Sequence, residues 1–306
     1  MSQVKAALLV LLGAFALGFV LYWIADLRRR SRAAPGRGRP TLLEIGIGAV
    51  TNFFDTLGIG SFAPTTAVYK LRGLVRDEAI PGTLNVGHCL PVVTQAFLFI
   101  AIVEVGTVTL LAMIAAAVLG AWLGAGVVAG WPRRNVQIGM GGALLAAASF
   151  FAMTNLGLFP AGGDALSLSS PLLWAGIAGN FALGALMTLG VGLYAPCMIL
   201  VALLGMNPKA AFPIMMGSCA FLQPIGSVRF IRKGSYSPAA ALGLTLGGVP
   251  AVFAAAYLVK SLPLSALRWL VVAVVTYTAV AMLRSARSER VVSMDSLTLP
   301  SPGESA

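Results

Sequence analysis

The sequence predicts an all-α polytopic membrane protein. It reads as two inverted repeats of about four helical segments with broken or re-entrant helices, plus one extra N-terminal transmembrane helix. Three observations carry this reading. Hydrophobic residues make up 58% of the 306 residues and charged residues 10%, against about 25% charged in a soluble domain. Apolar stretches of about 20 residues, enough to cross a core of about 30 Å, recur along the whole chain. They are continuous rather than alternating, which selects helices over a barrel. Finally, Thr56-Leu57-Gly58-Ile59-Gly60-Ser61-Phe62-Ala63-Pro64 recurs 132 positions later as Thr188-Leu189-Gly190-Val191-Gly192-Leu193-Tyr194-Ala195-Pro196. The same offset pairs Leu71 with Leu203, Gly73 with Gly205, Ala79 with Ala211 and Pro81 with Pro213. Such identity at a fixed period marks an internal repeat.

The first element, Val4 to Leu27, is an apolar helix followed by Arg28-Arg29-Arg30-Ser31-Arg32. A secretory signal carries its positive charge before the apolar core, not after it. Residues 1–40 therefore read as a retained helix and a basic cytoplasmic linker. Repeat one covers 41–155. Its first segment breaks at Gly58 and Gly60. A short piece, Pro64 to Leu71, follows, then plain spans at about 79–103, 107–130 and 136–153. Residues 156–171 form an external loop without Lys or Arg. Repeat two covers 172–286, breaking at Gly190 and Gly192. Its short piece runs from Pro196 to Leu204, and spans follow at about 211–231, 238–259 and 268–286. The tail, 287–306, is polar and reads as disordered and cytoplasmic.

Charge placement orients these segments. Of the 21 Lys and Arg, all but Lys5, Lys209, Lys260 and Arg268 fall on one side if each broken pair forms a hairpin. That positive-inside bias puts the N-terminus outside and the C-terminus in the cytoplasm. Repeat one then starts inside and repeat two outside, so the repeats are inverted and their breaks approach the midplane from opposite faces. The net charge of +11 is explained by these loops, so nucleic acid is not an expected partner. The three cysteines, Cys89, Cys197 and Cys219, form no CxxC pair, and one histidine is too few for a typical metal cluster. No metal or cofactor is expected. The absence of a Walker A sequence excludes ATP as the direct energy source.

The GxGxxxP break, the alanine near the start of the next helix (Ala79 before Gly82-Thr83, Ala211 before Gly217-Ser218), and the turns Val105-Gly106 and Lys233-Gly234 resemble the TauE/SafE sulfite exporter family. That group is also called the toluene sulfonate uptake permeases. The resemblance covers about residues 41–286. Ser61 and Leu193 stand where the family pattern has a third glycine. The resemblance implies a multi-pass permease of the bacterial cytoplasmic membrane that moves small sulfur-containing anions such as sulfite, sulfonates or related organic acids.

The residues themselves suit such a substrate. A half-helix that begins inside the membrane offers unpaired N–H groups and roughly half a positive charge. Pro64 and Pro196 fit a first helical turn, and Gly58, Gly60, Gly190 and Gly192 let the chain unwind. The anion is expected between 60–66 and 192–198, with donors from Ser61, Thr65, Thr66 and Tyr194. Cys197, after Pro196, is a thiol at a helix start. The alternative for the glycines is close helix packing, the role expected of Gly120/Gly124 and Gly243/Gly247. Asp55 and the sole histidine, His88, are candidates for proton coupling, and Asn52 and Asn85 for polar lining. Glu44, Glu104, Gln95, Asn180, Thr188 and Gln223 read as interface or interhelical residues. The competing function is a membrane-embedded enzyme or thiol-handling protein using Asp55, His88 and Cys197, but no catalytic spacing motif supports it. The expected partners are a small anionic substrate and the lipid bilayer; a homo-oligomer is left open.

Overall fold

A computed structural model describes residues 3–33, 39–57, 59–101, 103–158, 162–189, 192–258, 269, 272–273 and 275–287. Its helices are α1 (Gln3–Ala33), α2 (Leu42–Thr56), α3 (Phe62–Arg72), α4 (Ile80–Gly87), α5 (Cys89–Ile100), α6 (Thr107–Val128), α7 (Arg133–Asn155), α8 (Ser170–Met187), α9 (Tyr194–Leu203), α10 (Ala211–Lys233) and α11 (Pro238–Leu258). Residues 275–287 form α12. Among the described residues there is no strand, only an isolated bridge between Ala165 and Met206. Seven described segments are long and apolar enough to cross a membrane. The protein is an all-α polytopic membrane protein.

Both breaks fall where the paired motif places them. The short helices after them, α3 with 11 residues and α9 with 10, are about 15 Å long at 1.5 Å per residue, half a bilayer core. Single 3-10 turns, Asp77–Ala79 and Pro208–Ala210, precede α4 and α10 at matching places.

Two expectations need correction. The span at 79–103 is divided at His88 into α4 and α5. Pro91 has no N–H for the Gly87 carbonyl four residues back, and its ring crowds that carbonyl. The freed oxygen instead accepts the Thr245 hydroxyl from α11 at 2.7 Å. The basic run after the first span is not a linker from Arg28 onward, because α1 continues to Ala33. Buried Asp26 holds that last turn, accepting from Arg29 (2.9 Å), Arg30 (2.6 Å) and Tyr236 (2.6 Å). The tail at 288–306 and most of 259–274 lie outside the described residues.

Small residues set how the helices pack. Gly243 sits against Glu44 and Ile45, Gly247 against Ile45 and Ala49, and Gly248 against Asn52. The residue numbers rise together, so α2 and α11 run parallel. In the same way Gly184 meets Ala117, Gly120 meets Phe181, and Gly124 meets Ala185 and Thr188, so α6 and α8 run parallel. The packing role expected of Gly120/Gly124 and Gly243/Gly247 is what these contacts describe. Gly217 against Ile114 and Lys233 against Gly126 make α10 parallel to α6. Gly87 against Leu244 and Gly248 against Pro91 make α4–α5 parallel to α11. Gly82 against Phe230 and Gly217 against Ile100 make α10 antiparallel to α4–α5. Hence α2, α4–α5 and α11 run one way, and α6, α8 and α10 the other.

The basic residues gather at one end of this bundle. Arg30 reaches the Ile231 carbonyl (3.4 Å), Lys233 the Gly126 carbonyl (2.8 Å), and Lys70 and Arg133 both pair with buried Asp77 (2.6 and 3.4 Å). The opposite end holds Lys5 on the Val103 carbonyl (2.7 Å) and the loop 162–168 against Gly106 and Met206.

The glycine contacts give opposite expectations at different sites. A Cβ at Gly120 or Gly247 would run into the Phe181 or Ile45 carbonyl, whereas one at Gly142 in α7 meets nothing within 4 Å. Gly120→Val and Gly247→Val each lose about 1–3 kcal/mol or more through overpacking. Gly142→Ala gains up to about 1 kcal/mol of helix propensity. Thermal unfolding in detergent checks both signs.

Candidate functional site

The first break begins where α2 runs out of partners. Leu57 N–H and Ile59 N–H both return to the Phe54 carbonyl (3.2 and 3.1 Å). Gly60 then takes φ +85°, in the left-handed region open to glycine. The chain re-enters a helix at Phe62, with Pro64 in the first turn and Thr65 N–H bonded to the Ser61 carbonyl (3.1 Å). The second break is built alike. Thr188 N–H returns to Ala185 and Leu189 N–H to Leu186 (3.3 and 3.0 Å). After it, α9 begins at Tyr194, with Pro196 in its first turn and Cys197 N–H on the Leu193 carbonyl (3.0 Å). Gly192 carries no positive φ; a Cβ there meets only open space. Gly58 and Gly190 lie outside the described residues.

The two breaks meet. A cavity of about 20 Å³ is lined by Asp55, Gly60 and Ser61 from the first, by Met187, Gly192 and Tyr194 from the second, and by Cys219 and Gln223 of α10. That is room for about one water molecule. A second cavity of about 30 Å³ lies beyond Gly60, Gly192 and Tyr194, reaching Pro196 and the α7 residues Ala147 and Phe150. A polyatomic anion enters either only if the lining parts.

Polar bonds tie the halves together across the first cavity. Gln95 of α5, wholly buried, donates through Nε2 to Asp55 Oδ2 (2.8 Å) and Thr56 Oγ1 (3.1 Å). Its Oε1 accepts from the Tyr194 hydroxyl. The Ser61 N–H and hydroxyl also stand close enough to interact with the Asp55 carboxyl. Asp55 is the only charged or basic side chain among the described lining residues; no Lys, Arg or His joins it.

His88 sits elsewhere, behind the first break. Its Nδ1 is 3.0 Å from Asn52 Oδ1 and its Nε2 is 3.2 Å from Thr65 Oγ1. Thr65 donates onward to the Ser61 carbonyl (2.7 Å), and Asn52 Nδ2 donates to Gly48 (2.7 Å). Asn52, His88 and Thr65 thus brace the junction of α2, α3 and α4 and do not line the cavity. Asn85 bonds the Pro81 carbonyl (2.9 Å) and is not brought to the site. Thr66 is buried and outside the lining, and half-buried Pro64 is outside it too. The thiol facing the cavity is Cys219, whose Sγ lies 3.6 Å from Met187 Sδ; buried Cys197 does not face it.

Some side chains do more than their sequence pattern announces. Gln95 and Gln223 interrupt apolar helices, a signal equally compatible with any interhelical bond. Glu44 closes a capping box with Thr41: its carboxylate accepts Thr41 N–H (2.7 Å) and its N–H bonds Thr41 Oγ1 (3.2 Å). The spacing Thr-x-x-Glu announces that cap. Among the described residues no three His, Cys, Asp or Glu side chains come together as metal ligands. Comparison of the chain with protein-family models, with curated proteins and with solved structures finds no match.

The two glycines facing the cavity differ in backbone, and this can be measured. Gly60→Ala forces an L-residue into φ +85° and loses about 1–2 kcal/mol. Gly192→Ala, with open space and an ordinary φ, leaves the unfolding temperature unchanged. Equal losses at both positions would contradict the geometry described.

Proposed function

We propose that this protein is a secondary transporter that carries a small anion across the bacterial cytoplasmic membrane. The substrate class is sulfite, a sulfonate or a related sulfur-containing organic acid, in keeping with the TauE/SafE resemblance. One observation carries the reading: two copies of one broken motif, from distant parts of the chain, line a single buried cavity. Paired broken helices meeting at midspan are how many secondary transporters build a binding site.

Other features support it. The opposed directions of α2 and α8, of α4–α5 and α10, and of α11 and α6 fit two inverted repeats. Such repeats can exchange roles when the site opens to one side or the other. The basic end fits a cytoplasmic face, with the C-terminus inside and the N-terminus outside. Phe62 and Tyr194, the first residues of α3 and α9, line the cavity, and helix N-terminal N–H groups can replace an anion's lost hydration once the lining parts. A membrane-embedded enzyme using Asp55, His88 and Cys197 fares less well, because these side chains do not share the cavity. The reading is accordingly a transporter and not an enzyme.

Asp55 gives the transporter its coupling. An anion and an ionised carboxylate cannot share a dry site that holds no cation. The anion therefore enters together with a proton held by Asp55.

Proteoliposome flux tests this. Wild type moves sulfite or methanesulfonate faster under a pH gradient. Gly192→Leu, which fills the cavity from a position with open space, lowers flux at least tenfold in folded protein; undiminished flux in that variant sinks the proposed site. In Asp55→Asn the Gln95 bond retains an acceptor, and flux loses its response to the pH gradient. A response equal to wild type would remove Asp55 from coupling.

A further inference from the structure

We infer that Gln223 touches the substrate, and that the substrate it selects is a small oxyacid bearing its own O–H, such as hydrogen sulfite, in preference to a fully ionised sulfonate. The inference rests on the transport reading above and deepens it.

Gln223 lies in the middle of α10 and is wholly buried. It lines the cavity between the two breaks. Neither its Nε2 nor its Oε1 has a hydrogen-bond partner among the described residues. A buried amide with both ends unmatched is destabilising, so a position that keeps one inside a cavity points to a partner from outside the chain. The other polar groups of the lining are engaged already. Asp55 accepts from Gln95, Tyr194 donates to Gln95, and Ser61 stands against Asp55. Gln223 is what remains to read a ligand.

An amide also says what it reads. It presents a donor pair and an acceptor side by side. The matching partner presents an acceptor and a donor side by side, which is the O=X–O–H edge of a protonated oxyacid. An ionised sulfonate has acceptors only. It would satisfy Nε2 but would set an oxygen against Gln223 Oε1, where hydrogen sulfite, which carries the same single charge, presents its O–H. Cys219, one turn earlier on α10, and Met187 close the same wall with sulfur atoms 3.6 Å apart, which offer no strong donor. A site built to hydrogen-bond an O–H discriminates strongly against an analogue that lacks it.

The test uses the full chain in proteoliposomes and in detergent, with wild type, Gln223→Leu and the volume-matched Gln223→Met. The probes are sulfite and methanesulfonate, at a pH where sulfite is largely the hydrogen form. In wild type, sulfite flux exceeds methanesulfonate flux at least tenfold. In both variants the KM for sulfite rises at least tenfold, while the unfolding temperature holds or rises because an unmatched buried amide has been removed. A purely structural role for Gln223 would lower Vmax through loss of folded protein and leave KM alone. An unchanged KM in either folded variant overturns the contact, whatever the stability. Equal wild-type flux of the two probes overturns the selectivity. Absence of wild-type flux for both overturns the transport reading, and this inference with it.

Discussion

A membrane interior offers no water to an unpaired peptide group, and the rest of this structure depends on how two helices are broken there without leaving such groups bare. The threonine that opens each copy of the motif answers part of the problem. Thr56 turns its hydroxyl back to the Asn52 carbonyl (2.8 Å), and Thr188 turns its own back to the Ala185 carbonyl (2.7 Å). Both hydroxyls cover acceptors in the last turn of the helix before the break. The amides that follow, Leu57, Ile59 and Leu189, fold back onto the same turn. Pro64 and Pro196 remove one N–H each from the turn that restarts the helix. The third interruption, at His88 in α4–α5, follows the same rule by borrowing a hydroxyl from α11.

Those local solutions work only if the broken segments are held in place from outside. That is the task of the glycine seams. α2 is clamped along α11 and α8 along α6, with backbone approaching backbone at Gly247 and Gly120. In a bilayer such close packing is itself a source of cohesion, since apolar side chains gain little by leaving lipid. The seams also cross the repeat boundary: the broken helix of each half lies on an unbroken helix of the other. Separation of the halves would strip both breaks of support together.

Much of this was legible in the sequence, and the parts that were not share one cause. Helix extents, the doubled break and the clustering of charge at one end are written in local pattern: apolar run length, paired Gly and Pro, and the position of Arg and Lys. Which face of a helix meets which neighbour is not written there. Cys197 follows the second break in sequence, yet Cys219 from the next long helix reaches the cavity. Asn85 precedes His88 by three residues, yet only His88 joins Asn52 and Thr65. Gln95 and Gln223 look alike as polar residues in apolar spans; one bridges both halves while the other has no partner among the described residues. The division of α4–α5 was announced by Pro91, whose effect on the Gly87 carbonyl needs no tertiary knowledge. The acceptance of that carbonyl by Thr245 does.

The last step concerns asymmetry. Asp55 and Met187 hold the same place in the two copies, 132 positions apart, and each meets a residue from the long helix that follows its break. Asp55 meets Gln95, a strong amide donor, and Met187 meets Cys219, a weak one. Two identical acidic halves would set two carboxylates against each other in one small dry space. Two identical sulfur-lined halves would offer nothing that binds a proton. One half of each kind gives a cavity with a single carboxyl beside a soft, uncharged wall, and Gln95 bridges that carboxyl to Tyr194 at the opposite break. Asp55 is thereby linked through Gln95 to the start of α9. The two copies of the motif supply the opposed breaks, and their difference at Asp55 and Met187 sets a carboxyl on one side of the cavity and sulfur on the other.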